Sequence, residues 1–284
     1  MSFTVFVVAS LIVSTAIILL PFLWSMRAPK NNPAHHMKRR DEKGIEGEVV
    51  VLVGDSITHG KIGYNFVDLV SEKLHDHHYK FVNAGRNGEL VWNVVQRLDD
   101  IIRCKPDIIT VMIGTNDAKG ALTEDEMKGY VRRMRLPRKP SHDWFRENLL
   151  ILINRLKNET QARIALLSIP PLGEDSNHAA FTQSAEYSQT VEEVARETNV
   201  TYLPLHERMV ERLSNNTSMP NSSFEKATIS IFKGIYKRYL LRRSWNRIAK
   251  EGGFRLLVDH IHLNREGAMI AAELVEGFIG NSAD

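Results

Sequence analysis

The chain has 284 residues, 43% of them apolar and 25% charged, with a net charge of +3 and a single cysteine. This composition supports an ordinary packed core, excludes an intramolecular disulfide framework, and lacks the basic bias of a general nucleic-acid binder. The length allows one large domain or two small ones.

Phe3 to Trp24 carry no charged residue, and about 20 apolar residues suffice to cross a ~30 Å hydrocarbon core. No Lys or Arg precedes the run, and Pro21, Phe22, Leu23 and Trp24 stand where a cleavage site would need small residues. Residues 1–25 are therefore expected to form one uncleaved transmembrane helix, with Trp24 at the interface. Residues 26–47 read as a basic, flexible tether, and His35 and His36 as a solvated pair, since no acid or cysteine ligand pattern accompanies them. Arg27, Lys30, Lys38, Arg39 and Arg40 all follow the span, so the positive-inside rule places the main domain in the cytoplasm. Glycosylation triplets at Asn158, Asn199 and from Asn215 point the other way, but such triplets arise readily by chance.

From Glu48 onward, strand and helix patterns alternate. Apolar runs at Val49–Val53, Phe81–Ala84, Ile108–Ile113, Ile164–Ile169 and Val200–Leu203 predict strands. Helical spacing joins Phe66, Val70 and Leu74, then Val91, Val94, Leu98 and Ile102, then Phe145, Leu149, Leu152 and Leu156, and a last helix runs from about Glu266 to Ile279. Residues 48–284 are thus expected to be one three-layer α/β domain whose five-stranded parallel sheet is covered on both faces. Cys104, between a helix and a strand, reads as a buried, inert thiol.

Ligand sites of such sheets lie beyond the carboxyl ends of the strands. Three of these ends run into polar, glycine-rich loops: "GDSITHG" from Gly54, "NAGRNGE" from Asn83 and "GTND" from Gly114. Ser56 sits on the first turn as a candidate nucleophile. A nucleophilic serine needs a base, an orienting acid and donors for an oxyanion. "DHIH" near the C-terminus offers Asp259 and His262, three residues apart. The Asn116 side chain and the backbone N–H groups of Gly88 and Ser56 are candidate donors. The serine block is not the G-x-S-x-G elbow of α/β-hydrolases.

In this order, the four blocks resemble those of the SGNH, or GDSL-type, hydrolase family, and the resemblance spans Glu48 to about Ile279. It implies a flavodoxin-like α/β/α sandwich that needs no metal or other cofactor and hydrolyses esters or thioesters through an acyl-serine. By position it makes Ser56 the nucleophile, His262 the base and Asp259 its orienting acid. Ser56, Gly88 and Asn116 would form the oxyanion hole. His59 and His260 compete for the role of base, but the spacing to Asp259 and the family pattern favour His262. Asp55 is expected to brace its turn, Gly85 to be a turn residue and Asp117 to be structural. A metal cluster of Asp55, Asp117, Asp259 and His262 can be drawn, though their spacing does not demand one.

Two insertions, at about 118–140 and 214–252, exceed the family's minimum. The first is arginine-rich; the second has helical spacing at Phe224, Ile231, Ile235 and Tyr239 and is rich in Lys and Arg. The second is a solvated face, a lid, or a face on anionic lipid beside the anchor. The expectation is a membrane-anchored serine esterase acting on a small-molecule or lipid ester, such as a lysophospholipid. An O-acyltransferase or deacetylase acting on a carbohydrate and a non-catalytic binder are the rivals.

Overall fold

β-branched runs form five parallel strands: β1 (Glu48–Gly54), β2 (Tyr79–Gly85), β3 (Ile108–Met112), β4 (Arg163–Leu167) and β5 (Thr201–Leu203). The computed structural model describes residues 19–43, 46–75, 78–214 and 219–280. The spatial order is β2-β1-β3-β4-β5, the flavodoxin-like order of a doubly wound sheet. Side chains alternate across the sheet. Val51, Val53, Ile109 and Val111 enter one core, and Val50, Leu52, Ile108 and Met112 enter the other.

Five helices lie around the first two strands: α1 (Pro33–Lys43), α2 (Ser56–His59), α3 (Phe66–Lys73), α4 (Val91–Gln96) and α5 (Leu98–Ile102). After β3 come α6 (Thr115–Gly120), α7 (Glu124–Met134) and α8 (His142–Glu159), then α9 (Ala179–Thr198) after β4. The chain continues through α10 (Leu205–Ser214), α11 (Ala227–Tyr239), α12 (Trp245–Gly252) and α13 (Arg265–Gly280). Val94, Leu149, Leu152 and Val191 of α4, α8 and α9 cover one face of the sheet. Phe66, Val70, Ile248, Ala271 and Val275 of α3, α12 and α13 cover the other. The helix expected from Val91 to Ile102 breaks in two at Arg97, whose φ of −117° and ψ of 16° leave the helical region. Its side chain turns inward to an acid partner.

The N-terminal region departs from the expectation of a loose tether over residues 26–47. α1 lies on the domain, with Met37 against the core and His36 buried, its Nε2 3.2 Å from the Cys104 carbonyl. Asn31 accepts from the Asn83 N–H (3.0 Å) and donates to the Phe81 carbonyl (3.3 Å), so the segment runs along the outer edge of β2. Hydrogen bonds, one histidine and one methionine hold it, so no apolar period marks the contact. His36 is therefore not part of a solvated pair, although His35 is exposed. Among the described residues no helix is long and apolar enough to cross a membrane. The anchor expected over Phe3–Trp24 lies outside the described residues as far as residue 18.

Candidate active site

β1 ends at Gly54, beside Gly85 of β2 and Met112 of β3, and the three loops that follow build the site. Asp55 caps α2, its Oδ1 accepting from the Ile57 N–H at 2.9 Å. That cap holds Ser56 as the first residue of the helix. Gly85 has no alternative, because a Cβ there would lie 2.2 Å from the His59 nitrogen. Gly88 takes a φ of 77°, which only glycine adopts at low cost.

Between β1 and α13, Ser56 Oγ lies 2.9 Å from His262 Nε2, and His262 Nδ1 lies 2.9 and 3.0 Å from the two Asp259 oxygens. A carboxylate only accepts, so Asp259 fixes the proton on Nδ1 and leaves the Nε2 lone pair to accept from the Ser56 hydroxyl. Asp259 is fully buried, and its Oδ1 also accepts from the backbone N–H groups of Ile261 (3.1 Å) and His262 (2.9 Å). One carboxylate thus shapes the loop and aims the ring.

One rival histidine has its own partners, and burial weakens both as bases. His260, at a φ of 78°, places Nε2 3.0 Å from Ser222 Oγ and its ring edge-on to Phe254. Burial lowers its pKa to about 4. Burial also lowers His59 to about 4, helped by the Lys61 charge. Both rings are therefore neutral at neutral pH. Burial pushes the Cys104 thiol up to about 11, which leaves it a poor nucleophile.

Asn116, in the first turn of α6, is tied on three sides. Its Nδ2 donates to Asp55 Oδ2 (3.2 Å) and the Glu89 carbonyl (3.0 Å), and its Oδ1 accepts from the Tyr130 hydroxyl (2.8 Å). To serve an oxyanion the amide must share or exchange one of its two donor bonds, and the longer one to Asp55 is the weaker. Ser56, Gly88 and Asn116 follow the carboxyl ends of three adjacent strands.

Asp117 accepts from the Val91 N–H (3.1 and 3.3 Å) across the loop. Burial raises the Asp117 carboxyl to about 8 and that of Asp55 to about 6. These carboxyls face backbone and amide donors. Among the described residues no group of three or more His, Cys, Asp or Glu is placed to hold a metal ion, so the cluster drawn from the sequence does not assemble.

Two supports had no sequence reading. Arg97 and Glu89 form a buried ion pair (2.7–3.1 Å), and the same guanidinium donates to the Ala84 carbonyl, fixing the loop that carries Gly88. Tyr130 comes from α7, within the arginine-rich insertion. Its 3–4 spacing with Met127 and Met134 was the one available signal that this segment has an inward face.

A parallel sandwich with a serine, histidine and aspartate in relay at its strand ends defines a serine hydrolase. Residues 52–270 match the GDSL-like Lipase/Acylhydrolase family; the chain belongs to that family and is a hydrolase of ester bonds. Comparison with curated proteins finds no match. Among solved structures, it is similar to a variant of Axe2, an acetyl-xylooligosaccharide esterase from Geobacillus stearothermophilus, with 21% identity, a TM-score of 0.61, and 84% of this chain and 97% of that one covered. The acetylxylan esterase Axe2 itself gives 21%, 0.58, 84% and 96%. LAE5, an alpha/beta hydrolase from the metagenome of Lake Arreo in Spain, gives 18%, 0.58, 84% and 98%. At these identities the likeness is one of fold.

Proposed function

We propose that this protein is a membrane-held serine esterase that cleaves carboxylic esters or thioesters through an acyl-Ser56 intermediate. Ser56 Oγ attacks the acyl carbon while His262 Nε2 takes its proton, and Asp259 steadies the resulting imidazolium. The backbone N–H groups of Ser56 and Gly88 and the Asn116 amide receive the oxyanion. His262 then protonates the departing oxygen or sulfur. Water enters, gives its proton to the same nitrogen, and releases the acid with Ser56 restored. What carries this reading is the unbroken Ser56–His262–Asp259 hydrogen-bond relay.

The uncharged run Phe3–Trp24 supports attachment to a membrane, and the basic residues after it support a cytoplasmic catalytic domain. The substrate in this reading is an acyl ester of an amphiphile, such as a lysophospholipid. A second reading, deacetylation of a carbohydrate or acyl transfer to one, is favoured by the description of Axe2 as an acetyl-xylooligosaccharide esterase. A fluorophosphonate probe should label the full chain and not Ser56→Ala; equal labelling of both would end the mechanism. Rates on p-nitrophenyl esters separate the substrates: activity confined to acetyl favours the carbohydrate, and activity rising with chain length favours the amphiphile.

A further inference from the structure

The inner side of α11 is ordinary. Ala227, Gly234 and Ile235 are buried, and the Tyr239 hydroxyl donates to the Lys61 carbonyl at 2.6 Å. Its outer side is not. Ile229, Phe232, Tyr236 and Leu240 recur at helical spacing and are 37–56% exposed, where a helix of a soluble domain carries polar residues. Leu241 extends the stripe.

This stripe meets the other end of the chain. The Phe22 ring stacks on Phe232 with centroids 6.2 Å apart. Leu19, Leu20, Leu23 and Trp24 beside it are 49–56% exposed. The sequence preceding them, from Phe3, contains no charged residue. One apolar surface is thus assembled from segments about 200 residues apart.

The charges are divided. Lys237, Arg243 and Arg247 converge on Glu251 at 2.7–3.1 Å. Lys226, Lys233, Arg238 and Arg242 are exposed around the stripe, and the Arg27 guanidinium lies over the Trp24 ring.

We propose that the outer face of α11, together with residues 19–24, seats the catalytic domain on a lipid bilayer. The apolar stripe enters the headgroup boundary, and the exposed lysines and arginines meet anionic headgroups. Trp24 and Tyr236 are amphipathic rings of the kind enriched at that depth. A bilayer fits better than a protein partner because residues 19–24 of this surface belong to the uncharged run of this chain's sequence.

The seat lies next to the chemistry. Lys61 belongs to the loop after α2, whose Tyr64 N–H donates to the Leu263 carbonyl, beside His262, at 2.7 Å. The loop therefore lies between α11 and the base, and it ties the seated helix to the segment that carries His262. This inference rests on the membrane-held reading and narrows its substrate to an acyl ester presented at the interface.

The test uses the full chain reconstituted in phosphatidylcholine–phosphatidylglycerol vesicles that contain lipid-borne nitroxide quencher. A nitrobenzoxadiazole label is attached to Phe232→Cys, to Val13→Cys within the apolar run, or to Ile151→Cys on the opposite helical layer. The label at 232 should lose most of its fluorescence, as should that at 13, while that at 151 keeps it. Quenching at 13 but not at 232 would overturn the seating and leave the membrane-held reading intact. Quenching at neither would remove both. Self-quenching between labels at 232, without lipid quenching, would make a second copy the occupant and also overturn the proposal. Replacing Ile229, Phe232 and Leu240 by Ser should abolish turnover of a vesicle-borne ester while preserving that of a short soluble ester. Equal turnover of the vesicle-borne ester would count against the seat.

Discussion

Tyr130→Phe removes one oxygen, the donor to Asn116 Oδ1 at 2.8 Å, and leaves the ring to fill its place. The acceptor is buried, so loss of its partner should cost about 1–3 kcal/mol of stability. In a domain of this size each kcal/mol lowers the melting temperature by about 2–4 °C. The amide should keep its orientation, because a flip would turn its oxygen toward Asp55 Oδ2 and the Glu89 carbonyl, which now accept from Nδ2. It would nevertheless swing more freely and be less polarised by the lost bond. Deleting an oxyanion donor outright costs about 10²–10³ in kcat, so loosening one should cost less, about tenfold, equivalent to about 1.4 kcal/mol of barrier. Steady-state kinetics on p-nitrophenyl acetate should show the loss in kcat with KM little changed, since the interaction matters most when charge develops on oxygen. Burial holds the Tyr130 phenol above its usual pKa, so its ionisation should leave no mark on the alkaline limb of the wild-type profile. A lower melting temperature with unchanged kcat would reduce Tyr130 to a packing residue and refute the positioning argument.

Ser56→Ala should lower turnover by about 10⁴-fold or more with the fold retained, as judged by circular dichroism. His262→Ala should approach that loss and His260→Ala should not; the opposite ranking in the same assay would reassign the base. Asn116→Ala should reduce kcat by about 10²–10³, and a change in KM alone would make the amide a ground-state contact. For Asp117, raised from 3.8 to about 8 by burial, the unfolded chain ionises first as pH rises. Its contribution to stability therefore falls between about pH 4 and 8, then levels off. The melting temperature of Asp117→Asn, relative to wild type, should climb across that window; a constant difference would show that the carboxyl is not held protonated.

The strands were legible because β1 and β3 are buried on both faces, which forces nearly continuous runs such as Val49–Val53 and Ile108–Ile113. The relay was legible because each member occupies a short, ordered block. Asp259 and His262 share one turn, so their spacing alone suggested contact. Tyr130 was hidden because its partner is 14 residues away, and an aromatic in an amphipathic helix looks like any core residue. The break at Arg97 was hidden because the apolar spacing continues across it, while the buried pairing with Glu89 bends the backbone. α9 had no reading either, since much of its buried side is Ala, Ser and Thr, as at Ala180, Ser184, Ser188 and Thr190.

The strap along β2 decides where this chain can be cut. A chain beginning at Glu48 would free the Asn83 N–H and the Phe81 carbonyl, both now satisfied by Asn31. An open strand edge is a template for sheet extension between molecules. Such a chain would be prone to self-association even though its catalytic blocks were all present. The tie of Asn87 to the Ser25 carbonyl (3.0 Å) moves the boundary further upstream. Solubility and an orderly Gly88 loop therefore call for the same residues, and a soluble derivative should begin ahead of Ser25.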